Sequence, residues 1–300
     1  MKAWVKKLLP SSTLQRLQSL KQRSNQRSFF KQRLNTIHVG NFEILIPSRH
    51  ALAKIQQGQP YRDLCVGISA KYISSKYPQG TLMDIGANIG DTAAMMASFS
   101  PNRLVLIEAS DYYFGILSQN AARLPNPIVL KQVLIADGKP ELGSLQHWGG
   151  TAFFRKDATG NTEIQTVRLC EIADESTRFV KIDTDGFDFM IIADSLEWLA
   201  AAQPALLFED QIQSQSELEN ANDVIARLMQ AGYAYFIVWD DPGRHVVSTG
   251  SLDVLKDLNR YLFKTSQTNG PRGICNYDIL CLQPGDIDIY QNVTKWYRAY

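Results

Sequence analysis

Leu82-Met83-Asp84-Ile85-Gly86-Ala87-Asn88-Ile89-Gly90-Asp91-Thr92 is the stretch that decides the fold. An apolar run that reads as a buried strand enters a glycine-containing turn, and the turn opens a helix at Asp91 and Thr92. Gly86 lets the backbone come close to a ligand, and Gly90 allows tight packing where the helix starts. The next apolar run ends in Glu108, eighteen residues after Gly90. A carboxylate at that strand end can accept both hydroxyl hydrogens of a ribose, so turn and acid together outline a nucleoside crevice. A tight strand-to-helix turn without a ligand would use the same glycines.

Outward from this stretch, short apolar runs alternate with helical patterns. The spacing predicts strands at Thr81–Ile85, Leu104–Glu108, Ile128–Leu134, Phe179–Asp183, Ala205–Glu209, Tyr235–Trp239 and Tyr277–Leu282. Helices are expected near Asp91–Phe99, Tyr112–Leu124, Phe187–Leu199 and Glu217–Ala231. This alternation is the pattern of an α/β fold, a doubly wound and mostly parallel sheet covered by helices. Residues 138–170, richer in Gly and Thr, interrupt it and suggest an antiparallel excursion at the carboxyl edge of the sheet. Upstream, residues 36–47 read as a hairpin turning at Gly40-Asn41, and residues 61–76 have helical spacing. The expected organisation is a basic amphipathic leader (1–35), a small N-terminal cap (36–80), a main domain (81–285) and a C-terminal tail (286–300).

Composition sharpens this division. The chain has 300 residues, 45% of them hydrophobic, enough to bury a proper core. Its net charge of +1 hides an asymmetry, because residues 1–42 hold nine Lys or Arg and no acid, leaving the remainder at −8. A leader of that kind suits docking on an anionic membrane surface, a solvated basic arm or an organelle transit peptide. Neither a bilayer-spanning run nor a secretory signal is expected, since Val5 to Leu9 is short and contains two lysines. The four scattered cysteines form no Cys-x-x-Cys pair, which argues against a structural zinc site and suits a reducing, cytoplasmic setting.

The type of nucleoside follows from the turn. Dinucleotide sites place pyrophosphate on bare backbone amides and want a third glycine where this chain has Asn88. Asp84 adds a negative charge that repels phosphate and suits a cationic amino acid. The reading therefore favours S-adenosylmethionine over NAD. Two further strand ends add carboxylates. Asp137 follows Val133-Leu134-Ile135-Ala136 and could accept from an adenine amino group. Asp183 ends the expected central strand, where Phe179, Lys181 and Asp183 share one face and Lys181 and Asp183 can pair.

Asp84-Ile85-Gly86-Ala87-Asn88-Ile89-Gly90-Asp91-Thr92, Glu108 and Lys181-Ile182-Asp183-x-x-Gly186 together resemble the FkbM family of S-adenosylmethionine-dependent methyltransferases. The resemblance covers about residues 80–285, and Leu206-Leu207-Phe208-Glu209 also fits it. Members usually carry Lys-Ile-Asp-Val-Glu-Gly, whereas this chain has Thr184 and Asp185 at the fourth and fifth positions. The resemblance implies a Rossmann-like seven-stranded sheet with an antiparallel last strand, and O-methylation of a hydroxyl, often on a sugar, glycan or natural product. It also implies a cofactor site of Asp84, Gly86, Asn88, Gly90, Asp91, Thr92, Glu108, Ala109 and Asp137. Within it Asp84, Gly86, Asn88 and Gly90 would hold the methionine portion, Glu108 the ribose and Asp137 the adenine, with Asp183 lining the transfer site.

For such a transfer the protein aligns two reactants and a base removes the hydroxyl proton. Asp183, tuned by Lys181, is the first candidate base and Glu209 the second; His147 and His245, expected in loops over the same edge, are alternatives. Asp183, Glu209 and Asp210 could also gather a magnesium ion, although no pattern fixes that geometry and no metal site is expected. Nucleic acid is not an expected partner. The body is acidic, no Asn/Asp-Pro-Pro-aromatic segment follows the central strand, and no Pro precedes a Cys. The rival from another class is a non-catalytic binding protein that retains the cofactor fold.

Overall fold

The computed structural model describes residues 32–59, 61–156, 163–268 and 273–299. Apart from residues 32–35, the expected leader lies outside the described residues. Strands β1 (Leu34–Val39) and β2 (Phe42–Pro47) form the antiparallel hairpin over Gly40-Asn41. Helices α1 (Leu52–Gly58) and α2 (Leu64–Lys76) follow. The alternating part then runs β3 (Thr81–Ile85), α3 (Asp91–Phe99), β4 (Leu104–Ile107), α4 (Asp111–Ala121), β5 (Ile128–Lys131) and β6 (Leu134–Ile135).

The expected excursion is β7 (Glu141–Trp148) paired antiparallel with β8 (Thr151–Lys156) and with β9 (Glu163–Ile164). Strand β10 (Thr166–Val167) pairs with β6. After it come β11 (Thr177–Ile182), α5 (Asp188–Asp194), α6 (Leu196–Ala202), β12 (Ala205–Asp210), α7 (Gln215–Gln230), β13 (Tyr235–Asp240), β14 (His245–Thr249), α8 (Leu252–Ser266), β15 (Tyr277–Leu282) and α9 (Ile287–Arg298).

The central sheet has the order β14-β13-β15-β12-β11-β3-β4-β5. Strand β15 is antiparallel to both its neighbours, as the last strand was expected to be. The sheet has eight strands rather than seven. The additional one, β14, is an antiparallel edge strand whose residues are half-buried or exposed, so it lacks the continuous apolar run that marks the others. Two more expectations change. The pattern over 187–199 divides into two helices meeting at Ser195, and residues 286–300 contain a packed helix, with Ile289 and Val293 buried.

Alternating side chains of the sheet feed two cores. Leu82, Leu104 and Phe179 pack with α2, α3 and α9 on one face; Met83, Val105 and Val180 pack with α5, α7 and α8 on the other. Val39, Ile44 and Ile46 of the hairpin belong to the first core. Asn120 fixes them there: its Oδ1 accepts from Leu45 N–H at 2.7 Å, and its Nδ2 donates to the carbonyls of Leu45 (2.9 Å) and Ile89 (2.7 Å). One buried amide thus ties the hairpin to the glycine turn.

Strand order reverses at β3, which has β4 on one side and β11 on the other. The carboxyl ends of β3 and β11 are therefore the place where an open α/β sheet leaves a crevice for a ligand.

Candidate active site

A cavity of about 370 Å³ lies at that crevice, within the size range of small-molecule sites, about 300–1,000 Å³. Its walls include the β3–α3 turn, the end of β4, residues 133–135, the β7–β8 turn, the segment after β11 and the end of β12. Six carboxylates line it, Asp63, Asp91, Glu108, Asp183, Asp185 and Glu209, against the cations Arg62 and Lys181. Charge alone makes this a place for a cationic ligand.

The glycine turn is built by close backbone approach. Gly86 has φ 82°, and a Cβ there would stand 1.8 Å from the Asp183 carbonyl oxygen. The neighbour that demands glycine is thus the β11 backbone, while Gly86 also lines the cavity. Gly90 does not line it. Gly90 precedes α3 with φ 89°, and a Cβ would meet Leu117 Cδ1 at 2.9 Å, so its smallness serves packing.

Glu108 is buried, and its two carboxylate oxygens accept from Asn88 N–H (3.0 Å) and Ser110 N–H (2.7 Å). Burial pushes its carboxyl up to about 7 against the pull of those two bonds. Asn88 holds φ 48°, and its side-chain amide donates to the Gly150 carbonyl at 2.9 Å, bringing the β7–β8 turn over the cavity. Asp91, Thr92 and Ala109 also line the wall.

Lys181 lies 3.2 Å from Asp183, and the same ammonium donates to Asp84 Oδ1 at 3.2 Å. Asp84 has no exposed surface; its other oxygen accepts from Thr92 Oγ1 at 2.5 Å, clamping β3 to the first turn of α3. Here the structure corrects the sequence reading. Asp84 does not line the cavity: it is fully buried, and it supports the site through its pairing with Lys181, which does. Asp137 is corrected as well. It pairs with Lys139 at 3.1 Å, outside the cavity, and the wall at that strand end is Val133, Leu134 and Ile135.

Glu209 lines the cavity at the end of β12 and accepts from Asn276 Nδ2 at 2.8 Å. Burial, and then the nearby Asp183, push its carboxyl well up. Asp185, at φ 52°, accepts from Thr151 of the excursion, so the loop after β11 and the β7–β8 turn hold each other. The two histidines read as alternative bases are elsewhere. His147 stands on strand β7 sharing a 2.7 Å hydrogen bond with Ser110, and His245 stands on β14 against Ser248 and Tyr297. Neither is in a loop or lines the cavity. Among the described residues no group of three or more His, Cys, Asp or Glu side chains is placed to hold a metal ion. Asp210 is buried and does not line the cavity.

Sequence reasoning missed the wall contributed by residues before the glycine motif: His50, Leu52, Ile55, Arg62 and Asp63. Its one local signal was the pair of opposite charges just ahead of a helical pattern. The β7–β8 turn, Gly149-Gly150, is a further part of the wall that the Gly-rich composition of 138–170 only hinted at.

S-adenosylmethionine fits these residues on two observations. Glu108 stands buried and backbone-held at the end of β4, and the remaining wall is rich in carboxylates that suit a sulfonium and an ammonium. Residues 84–235 match the family described as the methyltransferase FkbM domain. No curated protein matches the chain. Solved structures similar to it include a precorrin-6y C5,15-methyltransferase from Geobacter metallireducens GS-15, 12% identical over 72% of this chain and 88% of that one, TM-score 0.37. The plantazolicin methyltransferase BamL, solved with a triazolic desmethylPZN analog and SAH, is 11% identical over 78% and 89%, TM-score 0.42. The methyltransferase FkbM from Methylobacillus flagellatus KT is 13% identical over 68% of this chain and only 43% of its own, TM-score 0.38. By the match over 84–235, half of its length, the chain belongs to the FkbM methyltransferase family, whose methyl donor is S-adenosylmethionine.

Proposed function

We propose that this methyltransferase acts on a hydroxyl oxygen, on a sugar, glycan or natural product. The observation that carries this reading is Glu209, a carboxyl raised by burial that faces the same cavity as Asp183. A carboxylate whose proton affinity is raised is suited to taking the proton of a hydroxyl as oxygen becomes the nucleophile. When bound, S-adenosylmethionine supplies a methyl group already activated on sulfur. The chain's own residues then have three tasks. Lys181 holds Asp183, Asp183 orients the acceptor by accepting from a neighbouring hydroxyl, and Glu209 accepts the proton of the reacting one. Asn276 fixes the Glu209 carboxyl through the 2.8 Å bond. This reverses the order of the two base candidates, because Asp183 is engaged by Lys181 and Glu209 has no cation within ion-pair distance among the described residues.

The test is transfer of a labelled methyl group from S-adenosylmethionine to a panel of neutral sugars, glycans and polyols. The expected product is a base-stable methyl ether, lost by about 10²-fold or more in Glu209→Gln while cofactor affinity is kept. Label on nitrogen or carbon would overturn O-methylation. Tight cofactor binding with no transfer to any acceptor class would favour the non-catalytic binding protein.

No helix among the described residues is long and apolar enough to cross a membrane. We infer from charge that the nine cations of residues 1–42 draw the chain to an anionic membrane surface.

A further inference from the structure

Two charged side chains of the cavity, Arg62 and Asp63, come from the segment between α1 and α2, outside the residues that match the family. The segment is pinned in place. Asp63 begins α2 with φ 61°, a left-handed conformation uncommon for a residue with a side chain. Gly243, in the turn between β13 and β14, comes so close that a Cβ there would stand 2.1 Å from the Tyr61 carbonyl oxygen.

Arg62 is lightly engaged for a half-buried guanidinium. One N–H donates to the Asp241 carbonyl at 3.4 Å, and Nε stands 3.9 Å from Asp63. A guanidinium has five N–H donors, so most of them remain for a ligand. Lys181, the other lining cation, is already held at 3.2 Å by both Asp84 and Asp183. Asp63, beside Arg62, and Asp91, from the first turn of α3, line the same cavity. Burial pushes both carboxyls to about 6, against the pull of Arg62 and Lys181 on Asp63 and of Lys181 on Asp91.

One cation with donors left over, in the same cavity as two carboxylates, is complementary to an α-amino acid. We infer that Arg62, Asp63 and Asp91 form a clamp for the α-amino-acid end of the cofactor, Arg62 taking the carboxylate and the two aspartates the ammonium. The segment preceding the family-matched domain then supplies two of the three clamp residues. It also takes over the task that the sequence reading gave to Asp84, which is buried, paired with Lys181 and not part of the cavity wall. The inference rests on the cofactor and is independent of the acceptor.

The test compares two ligands that differ at this end. The full chain and its Arg62→Ala and Asp63→Asn variants are titrated calorimetrically with S-adenosylhomocysteine, which carries the amino-acid group, and with methylthioadenosine, which lacks it. The expected result is a loss of about tenfold or more in S-adenosylhomocysteine affinity, the effect of one charge-assisted contact. The methylthioadenosine affinity should stay within about twofold. Arg62→Lys should restore part of the loss. Should Arg62→Ala fail to fold, Arg62→Gln, which keeps the stem and a donor, takes its place. Equal weakening toward both ligands, or toward neither, would overturn the clamp. Loss of methyl transfer with both affinities unchanged would place Arg62 on the acceptor side and overturn it too.

Discussion

Asp84 and Lys181 meet at 3.2 Å across β3 and β11, the two strands at which the sheet reverses its order, and both are almost fully buried. The pair links the cofactor half of the crevice to the transfer half, because Asp84 also holds Thr92 of α3 and Lys181 also holds Asp183. Removing one partner leaves the other charge buried. Asp84→Asn or Lys181→Met should therefore cost about 3–5 kcal/mol, read from urea unfolding. Replacing both with apolar residues should cost less than the two single changes added together, a coupling that a double-mutant cycle detects.

Gly86→Ala should destabilise the chain by about 1–3 kcal/mol from its backbone conformation alone. The displacement of Asp183 by the new Cβ adds to this and should lower cofactor affinity as well. Gly90→Ala is the control. Its φ of 89° imposes a similar stability cost, but away from the cavity wall it should leave affinity nearly unchanged in the folded fraction.

The ligand-free protein should be more stable near pH 5 than near pH 8. Asp63 and Asp91 are raised to about 6 and Glu108 to about 7, in each case first by burial. As pH climbs from the unfolded values near 4 through 6–7, the unfolded chain gives up protons that the native chain still holds, so native stability falls. A cationic ligand favours the ionised carboxylates. Binding of S-adenosylmethionine near pH 6 should thus release protons, seen as a dependence of binding heat on the ionisation enthalpy of the buffer. Proton uptake would contradict this.

Asn120→Ala should loosen the hairpin and the glycine turn together, since Leu45 and Ile89 both lose their partner. A cost of about 1–3 kcal/mol per group left unsatisfied is expected. Hydrogen exchange at Leu45 should rise more than at β12.

Much of this was legible in the chain. The strand–turn–helix around Gly86, the acid at Glu108 and the order of apolar runs depend on short-range pattern, and they located the crevice. The role of Asp84 was not legible, because its partner Lys181 stands 97 residues away and a strand-end acid looks alike whether it meets a ligand or a lysine. Asp137 looks the same in the sequence for a similar reason: it bonds to Lys139, two residues on, and does not line the cavity. Arg62, Asp63 and the β7–β8 turn reach the site only by tertiary packing. β14 escaped notice because an edge strand needs no apolar run, and the break at Ser195 because neither Gly nor Pro marks it.

The most direct measurement is calorimetric titration of the full chain with S-adenosylhomocysteine, beside Glu108→Ala. Saturable one-site binding by the native chain, weakened at least about tenfold in the variant, is the expected result. No heat and no thermal stabilisation at millimolar ligand, or equal affinity in both proteins, would contradict a cofactor crevice at the ends of β3 and β4.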